Sequence, residues 1–152
     1  MMLGLPNKTL VAIEAVLDIA FNAGGAPVQS GDITQRQGIP RRSLEPVLQQ
    51  LTRSGVLTGV RGPRGGYRLA RERRRITVGE IVRVISGRDE PIGVAQDGDG
   101  SELGKKVVRP LWLELGAEVM ARLEQVTLDD LCARAERAGI ESEARKTVDF
   151  TI

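Results

Sequence analysis

Val60-Arg61-Gly62-Pro63-Arg64-Gly65-Gly66-Tyr67-Arg68-Leu69 decides how the rest of the chain is read. An apolar run, Gly55-Val56-Leu57-Thr58-Gly59, leads into it. Gly62, Pro63, Gly65 and Gly66 make a turn, because glycine takes positive φ without steric cost and proline pre-sets φ. Tyr67 and Leu69 then read as a second strand, and Arg61, Arg64 and Arg68 decorate the hairpin. Arginines around a tip of bare backbone suit a narrow, negatively charged groove, so the first expectation is a DNA-binding wing. An ordinary basic surface hairpin has the same local pattern. The residues outside the hairpin decide between the two.

Upstream, the spacing predicts three helices. Asn7 can cap the first, from Lys8, in which Leu10, Ile13, Val16, Leu17 and Ala20 recur every three or four residues before Gly24-Gly25 ends it. Ser30 is a candidate N-cap for a short second helix over residues 31–37, stopped by Gly38. In the third, Leu44, Val47, Leu48 and Leu51 form a buried face, with Arg42, Glu45, Gln49 and Arg53 opposite. Proline breaks a helix interior but not a first turn, where N–H groups have no helical partner anyway. Pro46 therefore argues for a start with Ser43 as N-cap. Arg41, Arg42, Ser43 and Glu45 then stand at the helix end that enters the major groove in helix-turn-helix proteins. Any amphipathic helix has a polar face. The order helix, short helix, helix, basic hairpin is far more specific, and it is that of a winged helix-turn-helix.

Downstream, residues 71–75 hold four arginines in five positions, either a phosphate-contacting flank or a solvated link. Thr77 and Glu80 read as a capping box for a fourth helix built on Val78, Ile81, Val82 and Ile85 and ended by Gly87. Residues 88–105 are Gly- and Asp-rich and aperiodic, which predicts a flexible loop. Asp97, Asp99 and Ser101 look like the start of a calcium loop, but Glu102 stands where that loop needs glycine. A long helix is expected from about Lys106, bent near Pro110, to about Gln125. Trp112, Leu115, Val119, Leu123 and Val126 form one apolar stripe on it, and Leu113, Ala117 and Met120 a second. Two stripes call for two partners: the helix's own domain and a second copy of the chain. Thr127 and Asp130 cap a last helix with Leu128, Leu131, Cys132 and Ala135, stopped by Gly139. The expected fold is mostly α with a small β-hairpin, a winged helix-turn-helix domain plus a long C-terminal dimerisation helix. Its parts are a DNA-binding domain over residues 1–87, a flexible loop over 88–105, dimerisation helices over 106–139 and a polar, fraying tail over 140–152.

Charge separates along the chain. The net charge is only +2, yet residues 33–88 carry thirteen arginines and no lysine against Glu45, Glu72 and Glu80, a net of +10. Residues 1–32 carry −2 and residues 89–152 carry −6. Arginine forks onto phosphate oxygens and guanine edges, so a polyanion such as double-stranded DNA is the expected partner. The chain has no histidine, which removes the commonest general base, zinc ligand and pH sensor. No catalytic residue is assigned and no enzyme is expected. Cys132 is the one cysteine, which excludes an internal disulfide framework and any metal site of several thiolates. No cofactor and no metal site are predicted. No apolar run approaches the ~20 residues that span a bilayer, and the N-terminus does not read as a signal peptide. The expectation is a cytoplasmic protein with no membrane partner.

Several segments together resemble the IscR-like (Rrf-type) bacterial transcription regulators. They are Arg36-Gln37-Gly38-Ile39, Leu44-Glu45-Pro46-Val47-Leu48, the wing segment from Val60 through Tyr67, Ile76-Thr77-Val78-Gly79-Glu80-Ile81-Val82 and Leu128-Asp129-Asp130-Leu131. The resemblance runs from about residue 3 to 138. It implies a homodimer joined through the long helix, with the third helix in the major groove and the wing in the minor groove. The positions corresponding to DNA contacts are Arg41, Arg42, Ser43, Glu45, Arg61 and Arg64. Arg61 and Arg64 would supply charge to a narrow A·T-rich minor groove. Arg42 suits guanine, and Glu45 either accepts from cytosine N4 or serves only as a charge favoured at a helix N-terminus. Many members of the family hold an iron–sulfur cluster on three cysteines ahead of the long helix. The corresponding positions here are Val94, Gly100 and Lys106, with Arg109 where some members have a histidine. The expectation is a clusterless homodimeric regulator, activator or repressor, acting on a palindromic operator under an unspecified small-molecule or protein effector. Lys105, Lys106 and Arg109 are a candidate receiver for an anionic effector or a partner's acidic segment, or simply a basic helix start at the surface. The competing reading is a winged-helix protein-interaction module that has lost specific DNA binding.

Overall fold

The computed structural model describes residues 7–87 and 100–144. Three helices come first: α1 (Asn7–Asn22), α2 (Ser30–Gln37) and α3 (Arg41–Arg53). A hairpin of β1 (Leu57–Val60) and β2 (Gly66–Leu69) follows, then α4 (Val78–Ser86), α5 (Arg109–Leu123) and α6 (Leu128–Arg137). The strands pair antiparallel with Leu57 opposite Leu69 and Val60 opposite Gly66. Val28, between α1 and α2, joins the outer side of β2 by exchanging backbone hydrogen bonds of 2.8 and 2.9 Å with Tyr67. The expected winged helix-turn-helix order is thus present.

α1 is the pillar of the core. Ala12, Ala15, Val16 and Ile19 are fully buried on it. The two alanines let neighbours approach closely. Leu44, Leu48 and Leu51 of α3, Ile33 of α2, Ile81 of α4 and Leu128 of α6 close around it with no exposed surface. Each such leucine or isoleucine contributes about 1.5–3 kcal/mol by leaving water. The expected face of α1 is rotated in part: Leu10 is 39% exposed, while Ala12, Ala15 and Ile19 carry the contact. A helix surrounded on several sides does not need one stripe of large residues.

The core also draws on the far end of the chain. Leu128 and Cys132 of α6 belong to the same buried cluster as α1. Residues 76–78 are linked to 126–128 by Leu128 N–H to Ile76 O (2.9 Å) and Val78 N–H to Val126 O (2.8 Å). The expected capping box on α6 is complete, with Thr127 Oγ1 accepting from Asp130 N–H and Asp130 Oδ2 from Thr127 N–H. These backbone hydrogen bonds hold the Asp130 carboxyl below the usual carboxylate range. On α4 the box is half made. Thr77 Oγ1 accepts from Glu80 N–H at 3.1 Å, but the Glu80 carboxylate is turned to Arg71. Beyond α6, Ser142 donates to the Phe21 carbonyl at 2.6 Å and Glu143 N–H to Asn22 Oδ1 at 3.0 Å. Residues 142 and 143 are therefore tied to the end of α1 rather than fraying; residues 145–152 lie outside the described residues.

Several helix starts differ from expectation. Ser30 is the first residue of α2, after Gln29 as N-cap. α3 begins at Arg41, with Pro40 as N-cap, three residues ahead of the expected Ser43 cap. The Pro40 carbonyl accepts from both Ser43 (3.0 Å) and Leu44 (3.1 Å), so a backbone acceptor does what a serine cap would have done. Pro46 is then the sixth helical residue. Its missing N–H leaves the Arg42 carbonyl without a helical donor, on the exposed side of the helix. The long helix starts earlier than Lys106. Ser101 Oγ accepts from Gly104 N–H at 3.1 Å, as a helix N-cap does. Residues Gly104–Val108 form a wider π turn, in which Arg109 N–H reaches Gly104 O, directly ahead of Pro110. A widened turn is a common accommodation where the regular ladder is interrupted, and it replaces the simple bend expected at Pro110. The expected loop over residues 88–105, with Asp97 and Asp99, lies outside the described residues up to residue 99.

Candidate nucleic-acid interface

The core-facing side of α3 fixes what its other side shows. With Leu44, Val47, Leu48 and Leu51 buried, Arg41, Arg42, Ser43, Glu45, Pro46 and Gln49 are all exposed. Arg41, Arg42, Glu45, Pro46 and Gln49 line one shallow groove. Arg41 Nε lies 3.2 Å from Glu45 Oε1, one turn along the helix. That pair offsets the carboxylate's charge on this face. Such an exposed pair adds less than about 1 kcal/mol to stability, so its consequence is local charge and side-chain placement. Ser43 sits about 100° around the helix from Arg42, at the edge of the outward face.

The wing tip is a tight turn. Gly62 has φ +111°, and Gly65 N–H bonds the Gly62 carbonyl at 2.9 Å. A Cβ on Gly65 would lie 2.1 Å from the Val60 carbonyl oxygen, so any side chain there forces the turn apart. Arg61 precedes this turn and Arg64 lies within it, both exposed. Arg68 is different: its Nη2 donates to the Gly25 carbonyl at 3.0 Å, tying β2 to the loop after α1.

The arginines of the basic middle sort into two groups. Arg36 is engaged with Asp18, Arg71 with Glu80, Arg73 with Asp129 (2.8 Å), Arg74 with Glu72 (2.5 Å) and Arg83 with Glu124. The run at 71–75 is thus largely a set of internal ties. Among the described arginines of that middle, Arg42, Arg53, Arg61, Arg64, Arg68 and Arg75 form no ion pair. Two of the six are on the outward side of α3 and two at the wing tip. Sequence reading placed Gln49 and Arg53 on that side of α3 without counting them as site residues. The seven-residue step from Arg42 to Gln49, about two turns, was the available signal.

The geometry beneath α3 rests on one buried acid. The Asp18 side chain has no exposed surface, and it accepts from Arg36 Nε (3.0 Å), Arg36 Nη2 (2.7 Å) and Gln37 Nε2 (2.7 Å). These bonds hold the Arg36 guanidinium above its ordinary value, against the opposing effect of its partial burial. They lock the end of α2 to α1 and so set where the turn delivers α3. Gln50, by contrast with Gln49, points inward and donates to the Val84 carbonyl at 2.8 Å.

α5 leaves this unit. Its C-terminal part, with half-buried Met120 and Leu123, packs on α4. Toward its N-terminus, Leu103 is 72% exposed and Val107, Val108, Leu111, Trp112, Leu113 and Leu115 are each more than 40% exposed. Lys106 pairs with Glu102 at 2.7 Å.

Comparison with known proteins agrees with this arrangement. A family model described as "Rrf2: Iron-dependent Transcriptional regulator" matches residues 5–134. The HTH-type transcriptional regulator IscR of Escherichia coli O1:K1 / APEC is 36% identical over 135 residues, covering 87% of this chain and 82% of that protein. Among solved structures, T. potens IscR superposes with a TM-score of 0.73 at 32% identity, covering 91% of this chain and 93% of that one. CymR of B. subtilis, titled the global cysteine regulator, gives 0.70 at 29% identity, covering 88% and 98%. The family description names iron, but the donors here do not fit an iron–sulfur cluster. Gly100, Lys106 and Arg109 offer no thiolate, and Val94 lies outside the described residues. Cys132 is 1% exposed in the core, where burial pushes its thiol up, offset only in part by Arg73, so it stays protonated at neutral pH. No three His, Cys, Asp or Glu side chains gather as a metal site among the described residues.

Proposed function

The chain belongs to the Rrf2 family of transcriptional regulators, and from that premise we propose that it regulates transcription as a homodimer on a palindromic operator, without an iron–sulfur cluster. Arg42 and Glu45, with Arg41 and Ser43 beside them, read and position α3 in the major groove; Arg61 and Arg64 enter the minor groove. The observation that carries this reading is the distribution of unpaired arginines. Within the basic middle, those not consumed by internal ion pairs stand mostly on the outward side of α3 and at the wing tip. The exposed apolar face of α5 supports the dimer, because soluble monomers rarely leave a contiguous patch of this kind in water. A two-fold dimer in turn reads a two-fold operator. The same arginines weigh against the reading as a protein-docking module, in which only an acidic partner would engage them. No helix among the described residues is long and apolar enough to cross a membrane.

The experiment is duplex binding by purified protein at rising salt. Affinity is expected to fall steeply, since each neutralised phosphate releases a counterion. Arg61→Ala with Arg64→Ala is expected to weaken binding to every duplex and to flatten the salt dependence by about one unit of log–log slope per arginine removed. Salt-insensitive or absent duplex binding by folded wild-type protein overturns the reading.

A further inference from the structure

Gln49 is exposed on α3, and none of the contacts described above uses its carboxamide. Seven residues at 100° each bring Gln49 within about 20° of Arg42 around the helix axis, and about 10 Å further along it. The middle of the buried face, Leu44, Val47, Leu48 and Leu51, lies on the opposite side. Gln49 is thus closer to the centre of the outward face than Ser43 or Glu45. It also lines the same groove as Arg41, Arg42, Glu45 and Pro46. Its neighbour Gln50 shows the alternative fate: a carboxamide turned inward and spent on a backbone carbonyl.

We propose that Gln49 is a further base-reading residue of this protein, and that it reads adenine. A glutamine carboxamide donates to adenine N7 and accepts from adenine N6, a bidentate match that no other base offers in the major groove. Base pairs rise 3.4 Å each. That rise is along the duplex axis, whereas a recognition helix follows the inclined groove, where residues about seven apart reach pairs about two steps apart; Gln49 therefore addresses a pair about two steps from the guanine that Arg42 takes. Arg41 positions rather than reads: it holds the Glu45 carboxylate at 3.2 Å, and so keeps the stretch between Arg42 and Gln49 from repelling the backbone. The assignment rests on the proposed entry of α3 into the major groove.

The test is selection of bound duplexes from a random pool by wild-type protein and by the Gln49→Ala and Gln49→Arg variants. Wild type is expected to enrich adenine about two base pairs from an enriched guanine in each half-site. Gln49→Ala should lose that adenine preference by at least about fivefold while keeping the guanine, and Gln49→Arg should shift the same position toward guanine. Gln49 is exposed, so neither change disturbs the core. If wild type yields a clear motif that both variants reproduce unchanged, the assignment of Gln49 is wrong and the operator reading stands. A wild-type protein that selects no sequence overturns the operator reading, and Gln49 with it.

Discussion

Asp18 is an acid in the apolar run Val16-Leu17-Asp18-Ile19 of α1, and its cost is met by three hydrogen bonds from Arg36 and Gln37. Removing one partner of a buried pair leaves the other without compensation, typically a loss of about 3–5 kcal/mol. Arg36 keeps about a quarter of its side chain in water, so it can recover part of its hydration. Asp18→Ala is accordingly expected to lower stability by about 2–3 kcal/mol, read as a lower urea midpoint at unchanged m-value. Its second effect is on binding: with the α1–α2 lock gone, specific duplex affinity should fall beyond what the loss of folded protein explains. The residue could have been singled out from its setting, since an acid inside an apolar run is rarely idle. Its partner could not. Nothing in the spacing of Asp18 and Arg36 says that two helices bring them together.

At the scale of the element, α3 shows where local rules stop. Pro46 lies one full turn further into the helix than a first-turn reading allows, because the Pro40 carbonyl takes two N–H groups and starts the helix early. Pro46→Ala restores the N–H that the Arg42 carbonyl lacks and removes the ring from that turn. It is expected to stabilise the protein by about 1–3 kcal/mol, measured by denaturant titration, and a loss of stability would show that the ring packs against something essential. The wing and the α6 capping box were legible because few residues permit them: glycines at a forced turn, and Thr127 with Asp130 at a fixed spacing. The arginines at 71–75 were not, since their partners Glu80 and Asp129 come from elements whose placement only tertiary packing decides. The face of α1 was read too narrowly for the same reason; alanine carries little periodic signal yet makes the closest contacts.

For the whole molecule, α5 is the part that leaves apolar side chains in water, and the proposed dimer would cover them. Leu111→Glu with Leu115→Glu is expected to halve a solution mass of twice the 16.5 kDa chain and to abolish tight operator binding, while the winged-helix unit still melts cooperatively. A wild-type mass of one chain at working concentration would refute the dimer. The other long-range feature is α6, which returns across the molecule to bury Leu128 and Cys132 against α1. Its consequence concerns synthesis. Protein chains emerge from the ribosome N-terminus first, at about 5–20 residues per second. All the proposed DNA contacts are made early, but the core that holds them is closed by a segment made after the dimerisation helix. A nascent or truncated chain that ends before residue 128 therefore carries the reading residues on an incomplete scaffold. On the proposed reading, the pairing helix is made before the segment that closes the core, so an unfinished chain is expected to hold an operator poorly even once α5 exists.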